Sequence, residues 1–473
     1  MLRDIIRKEI MDNISTLKFV VTFVVVIVLV FSGLTLGSKN YLEQRGDLVR
    51  QLQLNQRMMA SQSNWLSAGY IGIFESKRPY VLSAIDNGID NSLGRQAQVN
   101  IDMETRLDES RNLVSPILAV FGDVDLTFVV KIILSLFVIL LTYDAISGEK
   151  ERGTLKLNMA NDVPRHRILI GKILGGFISI IIPFLLPLLI GLAFMMTFFP
   201  DVLADFNTET WYRLLIIVGV YLLYLAVFFA LGLLVSSLCH RSATSFIVLL
   251  MIWVLVVTII PRLSVTAAER LRPYVSYTTL QTQAFREISA QRRELMERFQ
   301  DPQEWVRAMN EGRLAAYFAE IFSDQASLQQ EIMDRYNRQY ERQQSAQITL
   351  AETLSRSLSP TSAMSFAVQN LAGTGWARQE EYVRQLREFQ DEFRDYVLGQ
   401  VAQTEVRDFS TFQEDMFLNE SLDVSMESIN FEFREESLAT VLDRSLWDIA
   451  VLVLLTIVFF TAAFVAFLRY DVR

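Results

Sequence analysis

Six stretches of this chain are almost entirely apolar, and each is close to the length that crosses a membrane. The hydrocarbon core of a bilayer, ~30 Å thick, requires roughly 20 apolar residues in helical form. The stretches are residues 17–36, 126–143, 173–199, 212–238, 245–261 and 446–468. The third contains Pro183 and Pro187 and is predicted to be kinked or broken, because proline removes a backbone donor. The pattern therefore predicts an all-α polytopic membrane protein with six transmembrane helices.

Residues 1–16, before the first apolar stretch, follow a different pattern. Apolar residues recur there at helical spacing, with basic side chains near the other face: Ile5, Ile6, Ile10 and Ile14 against Arg3, Arg7 and Lys8. This periodicity predicts an amphipathic helix at the membrane interface. A basic flank that only anchors the first span is the alternative. A cleavable signal peptide is not expected, because the apolar run that follows is a full span.

Basic residues mark one side of the membrane. They occur in the N-terminal flank, in residues 144–172, in the turn after the fourth stretch at Arg241, and at the C-terminus. The loop 200–211 has three acidic residues and no basic one. Because cytoplasmic loops carry the excess of Lys and Arg, both termini are predicted to be cytoplasmic.

Two polar regions then fall outside the membrane, residues 37–125 and 262–445. The first is polar and irregular, with the turn signal "DNGIDNS" at 86–92. The second is rich in Glu, Gln and Arg and repeats apolar residues at intervals of three and four. That spacing predicts amphipathic helices, so we expect a mainly helical extracytoplasmic domain.

The composition excludes several classes of function. The 473 residues are 51% hydrophobic with a net charge of −9, and this acidity argues against a nucleic-acid partner. Cys239 is the single cysteine, so an intrachain disulfide framework and a CxxC metal site are excluded. With only His166 and His240, a histidine metal site is not expected either.

One compact charged segment, residues 144–172, lies between the second and third stretches on the predicted cytoplasmic side. It contains "SGEKERGTL", in which Gly153 is expected to stop a helix, and "NDVPRHR", in which Pro164 suits the first turn of another. We therefore expect a short helix, a break and a second short helix. Such a projection would pass force between a membrane helix and a soluble partner. A solvated, positive-inside loop is the alternative interpretation.

This segment resembles the cytoplasmic loop that follows the second span in type 2 ABC transporter permeases. The family pattern is acidic-basic-acidic, Gly-Thr-Leu, Pro-x-x-Arg and Gly-Lys, matched here by Glu149 to Arg152, Gly153 to Leu155, Pro164 to Arg167, and Gly171 with Lys172. The resemblance implies a permease subunit of an ATP-driven exporter in a bacterial inner membrane. The residues that it implies for contact with an ABC ATPase subunit are Glu149, Glu151, Arg152, Gly153, Thr154, Pro164 and Arg165.

The resemblance also implies the other partners. A phosphate-binding GxxxxGK[ST] loop is absent from the sequence, so ATP and magnesium would be bound by the separate ATPase chain, with no cofactor on this one. A second permease subunit, identical or different, would complete a dimer in membrane lipid. The large region 262–445 departs from the compact members of the family and leaves open an extracytoplasmic accessory protein.

Lys131, inside the second stretch, is a candidate polar site within the membrane, because an ionisable group there is a functional candidate by default. A lysine near the outer end of a span can instead snorkel to the interface or form an ion pair. A second function also stays open: a mechanotransmission or scaffold protein whose outer domain an ATPase moves, with no substrate crossing. An integral membrane enzyme is a third hypothesis, which no catalytic arrangement of residues supports.

Overall fold

The computed structural model describes residues 2–60, 65–101, 106–107, 125–154, 165–299, 306–307, 314–403 and 431–469. Within them, six helices are long and apolar enough to cross a membrane: Leu17–Met58, Leu126–Glu151, Leu169–Phe198, Thr208–Leu238, Ser242–Leu271 and Leu438–Leu468. We number them as the first to sixth spans. Helices dominate the described chain, which confirms the predicted all-α polytopic membrane fold.

Shorter helices and one small sheet complete the described chain. The helices outside the spans are Leu2–Ile14, Trp65–Ile71, Pro200–Ala204, Tyr277–Phe299, Leu314–Leu358, Pro360–Ala372 and Trp376–Gln403. Two 3-10 turns cover Val81–Ala84 and Asp90–Ser92. The sheet is antiparallel, in the order β1 (Ile73–Ser76), β2 (Gln96–Val99) and β3 (Arg106–Leu107). The turn predicted at 86–92 is confirmed.

Two spans extend beyond the apolar stretches that predict them. The helix of the first span continues to Ala60, into the polar region that begins at residue 37. This polar extension has its own packing partner, since Asn55 is bonded to the backbone of Phe74 on β1. The helix of the third span begins at Arg165 and runs unbroken through Pro183 and Pro187.

Contacts between the spans define the two ends of the bundle. At one end, Lys18 at the start of the first span donates to the Tyr143 hydroxyl near the end of the second, at 2.9 Å. At the other end, Tyr41 and Arg45 of the first span both donate to Asp205, which precedes the fourth span. We call this second end the distal end, and the sheet and the outer helices lie there.

The second and fourth spans form the centre of the bundle. In each of them 61% of the most apolar part is buried, against 17% in the fifth and sixth spans. Tyr221, Tyr224 and Phe228 of the fourth span are fully buried. The fifth and sixth spans therefore expose most of their apolar surface, as a face for lipid or for another membrane subunit does.

The distal helices pack at two levels. The Pro360–Ala372 helix is largely buried against the spans, and Ser359, just before it, donates to the Val256 carbonyl at 2.7 Å. That carbonyl belongs to a π-helical turn, Leu255–Ile259, which frees backbone acceptors from their usual partners. Further out, Tyr277–Phe299 and Leu314–Leu358 pair antiparallel, joined by the Arg335–Glu287 ion pair. These helices confirm the predicted amphipathic helices of the outer region.

A buried carboxyl group on β1 makes the stability of the distal sheet depend on pH. Glu75 is 5% exposed, and burial raises its pKa from 4.5 to about 7, against the opposing effect of Arg78. The folded state therefore holds the proton more tightly than the unfolded state. The contribution of Glu75 to the free energy of unfolding is fully present below pH 4.5 and is lost as the pH rises through about 7.

Replacing Glu75 with glutamine is expected to abolish this fall and to stabilise the protein by about 2 kcal/mol near pH 8. This is less than the full shift would give, because local relaxation and water entry relieve part of the desolvation. Thermal unfolding of the purified chain at acidic and alkaline pH measures it. Glu388→Gln, at a side chain 62% exposed, is the matched control. Equal pH dependence in the wild type and in Glu75→Gln would contradict the assignment.

Candidate functional site

The charged segment begins with a short helix, Ser147–Glu151, that is fastened to the fourth span by one serine. The backbone amides of Ile146 and Ser147 both donate to the Ser236 hydroxyl at 3.0 Å, and that hydroxyl donates to the Tyr143 carbonyl at 3.1 Å. The first amides of a helix have no partner within it, so Ser236 acts as a cap supplied by another helix. The short helix is therefore a rigid part of the bundle.

The next two residues bind the helix ends of the neighbouring spans. The Lys150 ammonium donates to the Ser237 carbonyl, at the C-terminal end of the fourth span. The Glu151 carboxylate accepts from the Ser242 amide at 3.0 Å and from its hydroxyl at 2.8 Å, at the N-terminal end of the fifth span. A helix carries partial negative charge at its C-terminus and positive charge at its N-terminus, so both contacts have the favourable sign.

Lys172 of the third span joins two further elements. Its ammonium donates to Glu9 of the N-terminal helix at 2.7 Å and to Glu149 of the short helix at 2.8 Å. The lysine side chain is 6% exposed, so water screens these ion pairs little. One buried cation thus holds together three segments that are remote in sequence.

The N-terminal helix lies close along the third span because two glycines leave room for it. A Cβ atom at Gly171 would stand 2.5 Å from Ile5, and one at Gly175 would stand 2.7 Å from Glu9. The helix predicted over residues 1–16 is present as Leu2–Ile14, and part of its apolar face meets another helix of the chain.

The first span is attached at the same place. The Lys18 ammonium lies 3.6 Å from the Asp144 carboxylate and 4.4 Å from the centre of the Tyr143 ring. We call residues 143–154 the clasp. The clasp is the end of the second span with the three residues after it. It contacts the first, third, fourth and fifth spans directly, and the N-terminal helix through Lys172.

The residues predicted for ATPase contact divide into three groups in the structure. Glu149 and Glu151 have the internal partners described above. Arg152, Gly153 and Thr154 are exposed, and Gly153 has a φ of 72°, which confirms it as the residue that ends the helix. Pro164 lies outside the described residues, and Arg165 begins the helix of the third span. The start expected for the second short helix, at Pro164, lies outside the described residues, and residues 165–172 are the first turns of the helix that continues into the third span.

Lys131 is not part of the clasp. It lies in a π-helical turn of the second span, Val129–Leu134, more than two helical turns before Tyr143, where the clasp begins. Its ammonium is within electrostatic range of Asp86 and Asp125 at the distal end. Of the alternatives for Lys131, these surroundings therefore favour an ion pair with an acidic group.

Several partners of the clasp carry no local signal in the sequence. Lys18, Ser236 and Ser242 contact it directly from three different helices, and Glu9 reaches it through Lys172; each is an ordinary polar residue. The Gly171 and Gly175 spacing is the signal that marks a helix packed against the third span. Among the described residues, three or more metal-ligating side chains do not converge anywhere.

Fold and clasp together define the class of this protein: a polytopic membrane subunit whose spans are joined at one end by a compact charged segment. A family model described as "ABC-2 family transporter protein" matches residues 3–472, nearly the whole chain. The chain belongs to this family and is a membrane permease subunit of an ABC transporter. Membership implies an association with an ABC ATPase subunit. A comparison with curated individual proteins gives no match.

Proposed function

We propose that this permease subunit works as an exporter driven by a separate ATPase chain that docks on the clasp. The observation that carries the proposal is the contact set of the clasp, centred on Lys172, which joins the N-terminal helix and five spans. A displacement of so rigid a segment would move the ends of all these helices together. ATP and magnesium would be bound by the partner chain.

The docking surface in this proposal is the exposed tip of the clasp, Arg152 to Thr154. The tip directly follows residues whose side chains bond to the spans, so a displacement of the tip would move the spans with it. Glu149 and Glu151 then act as positioning residues. Pro164 and Arg165, at the other side of the loop, complete the surface in the family resemblance.

The rest of the assembly follows from exposure and charge. The fifth and sixth spans are the least buried, which supports a second permease subunit, identical or different, beside membrane lipid. The basic residues near the clasp support a cytoplasmic location for it and for both termini, in a bacterial inner membrane. An accessory protein would meet the distal helices on the opposite side.

Reversing the charge at the tip tests the docking surface. Arg152→Glu is expected to lower the recovery of the ATPase chain with the purified permease about tenfold or more, because one interfacial ion pair is replaced by repulsion. Affinity purification in mild detergent, mass spectrometry and an ATPase assay measure it. Arg152 makes one bond within the clasp, from its Nε to the Gly148 carbonyl at 3.1 Å. The contacts of Glu149, Lys150 and Glu151 stay intact, so the thermal stability of the permease should change little.

The matched control is Arg262→Glu, the same change at an exposed arginine toward the distal end of the fifth span. It should leave ATPase recovery and ATP-driven transport unchanged. Full recovery and full transport with Arg152→Glu would remove the tip from the docking surface. Failure to recover an ATPase even with the wild-type chain, under conditions that keep it folded, would overturn the coupling proposal itself.

Force transmission without transport is the second candidate, and one contact favours it. Arg356 of the long Leu314–Leu358 helix lies 3.5 Å from Asp448 of the sixth span and pairs with Glu352 at 3.1 Å. This contact would carry a motion of the spans to the outer helices. Spin labels on the Tyr277–Phe299 helix and the sixth span would report that motion on addition of ATP. ATP-dependent accumulation of a compound in inverted vesicles would instead support export over force transmission without transport.

A further inference from the structure

A second polar cluster lies at the distal end, where the outer region meets the second and fourth spans. Asp86, in the turn after the first 3-10 helix, is 1% exposed. Asp125, directly before the second span, lies within hydrogen-bonding reach of it. Neither carboxyl group belongs to the clasp or to the proposed ATPase surface.

The contacts of the two carboxyl groups tie four parts of the chain together. Asp86 accepts from the hydroxyls of Thr127, in the second span, and of Thr374, behind the Pro360–Ala372 helix. Thr127 in turn meets the Tyr221 hydroxyl of the fourth span at 2.7 Å. Asp125 accepts from the amide of Phe128 at 2.7 Å and from that of Asn87 at 3.2 Å.

Backbone contacts run beside the same cluster. The Leu126 amide donates to the Ile85 carbonyl at 3.2 Å, and the Ile89 amide donates to the Thr374 carbonyl at 3.1 Å. A Cβ atom at Gly88 would stand 2.4 Å from the Thr374 hydroxyl, so the two segments touch. The carboxyl pair therefore lies inside the joint between the outer region and the spans.

The charges that face the pair do not balance two ionised carboxylates. The titratable groups around it are the Lys131 ammonium and the Tyr221 hydroxyl, and at neutral pH the first contributes one positive charge. Two carboxylates that share a buried site cannot both ionise without a large electrostatic cost. One proton on the pair restores the balance with Lys131.

We propose that Asp86 and Asp125 form a proton-binding site, and that the joint between the outer region and the spans is tight while the site holds one proton. The ligand is a single proton shared by the two carboxyl groups. Loss of this proton would place two negative charges beside each other. Their repulsion would weaken the hydrogen bonds that join residues 85–89 to the second span and to Thr374. The proposal concerns this joint and does not depend on which partner drives the spans.

The direction of the pH effect follows from the surroundings of the pair. Burial raises the pKa of Asp86, and burial together with the neighbouring Asp86 carboxyl raises that of Asp125. A raised pKa in the folded state gives a stabilisation that is complete at low pH and is lost as the pH rises through that value. The joint should therefore loosen in alkaline and tighten in acidic surroundings.

Infrared difference spectroscopy of the purified full-length chain tests the site directly. With Glu75→Gln as the background, which removes another carboxyl group, outside the spans, that is protonated near neutral pH, we expect a protonated-carboxyl C=O band at about pH 7, where ordinary aspartates are ionised. Adding Asp86→Asn or Asp125→Asn should weaken this band. Disappearance of the band in this background at about pH 4, with the ordinary carboxyl groups, would overturn the proposal. A sodium-dependent shift of the titration would also overturn it, in favour of a cation site.

Thermal unfolding supplies the second readout. Asn resembles a protonated Asp, so Asp86→Asn should fold, and its midpoint temperature should fall less from about pH 6 to about pH 9 than that of the wild type, with the contribution of Glu75 remaining. Asp90→Asn is the matched control, four residues along. Burial opposes ionisation of Asp90, but Lys77 at 2.6 Å and Arg95 at 3.0 Å lower its pKa. Its loss should destabilise the chain across that whole range. Asp86→Asn with an unchanged pH profile would contradict the site.

Discussion

Replacing Lys172 with methionine is expected to destabilise the protein by about 3–5 kcal/mol and to release the N-terminal helix from the third span. The buried ammonium bonds Glu9 and Glu149, and removing it leaves two carboxylates close together in a site with little water. Deleting one partner of a buried charge cluster costs this much because the remaining charges stay uncompensated. Methionine preserves most of the side-chain volume, so the loss reports the charge.

Two further variants separate charge from packing. Arg167→Met, at an exposed position on the same helix, should be near neutral. Adding Glu9→Gln and Glu149→Gln to Lys172→Met should recover a large part of the loss, since no buried charge then remains. Thermal unfolding in detergent and proteolysis of the N-terminal helix measure the effect. A change within about 0.5 kcal/mol for Lys172→Met would show that the cluster does not hold the clasp.

The same variant is informative about coupling. Lys172 is not part of the exposed tip and bonds Glu149, one helical turn before Arg152, so its loss should leave an ATPase able to dock at Arg152 to Thr154. Transmission to the N-terminal helix and the third span would be lost. Retained ATPase binding with reduced ATP-driven transport is therefore the expected pattern. Loss of binding instead would mean that the cluster shapes the docking surface.

The membrane architecture was predictable from the sequence because its main cause is local. A run of about 20 apolar residues has few stable alternatives to a membrane helix. The end of a helix is a different property from the end of an apolar run, and the first span shows it. Residues 37–60 stay helical because they pack on the outer region, for example through Asn55 on β1. The apolar pattern carries no information about that contact.

The position of the clasp in the chain was predictable from the sequence, but its contacts with other helices were not. "SGEKERGTL" marks the segment, and Gly153 ends its helix as its conformational freedom allows. Which charged side chain faces a partner depends on contacts between residues far apart, such as Lys172 with Glu9, 163 positions away. Sequence spacing cannot supply these contacts. The bonds that Glu149 and the exposed Glu151 make within the chain were therefore not predictable from the sequence.

Gly232→Ala is the second variant for which we expect a large effect, a loss of about 3 kcal/mol in stability. A Cβ atom at this position of the fourth span would stand 2.0 Å from the Thr142 hydroxyl and 2.6 Å from its Cβ, on the second span. Thr142 is fully buried, and its hydroxyl donates to the Val138 carbonyl at 2.8 Å. Because this side chain is β-branched and bonded, the two helices must separate.

The separation would fall one turn before Ser236, the cap that fastens the short helix of the clasp. Gly232→Ala should therefore reduce ATP-driven transport as well as stability. Gly219→Ala is the matched control, since it lies in the same helix and a Cβ there meets nothing within 4 Å. It should be neutral or slightly stabilising, because alanine favours the helix over glycine. Thr142→Gly combined with Gly232→Ala should restore part of the stability. Equal effects of the two alanine variants would mean that the contact between the second and fourth spans does not position the clasp.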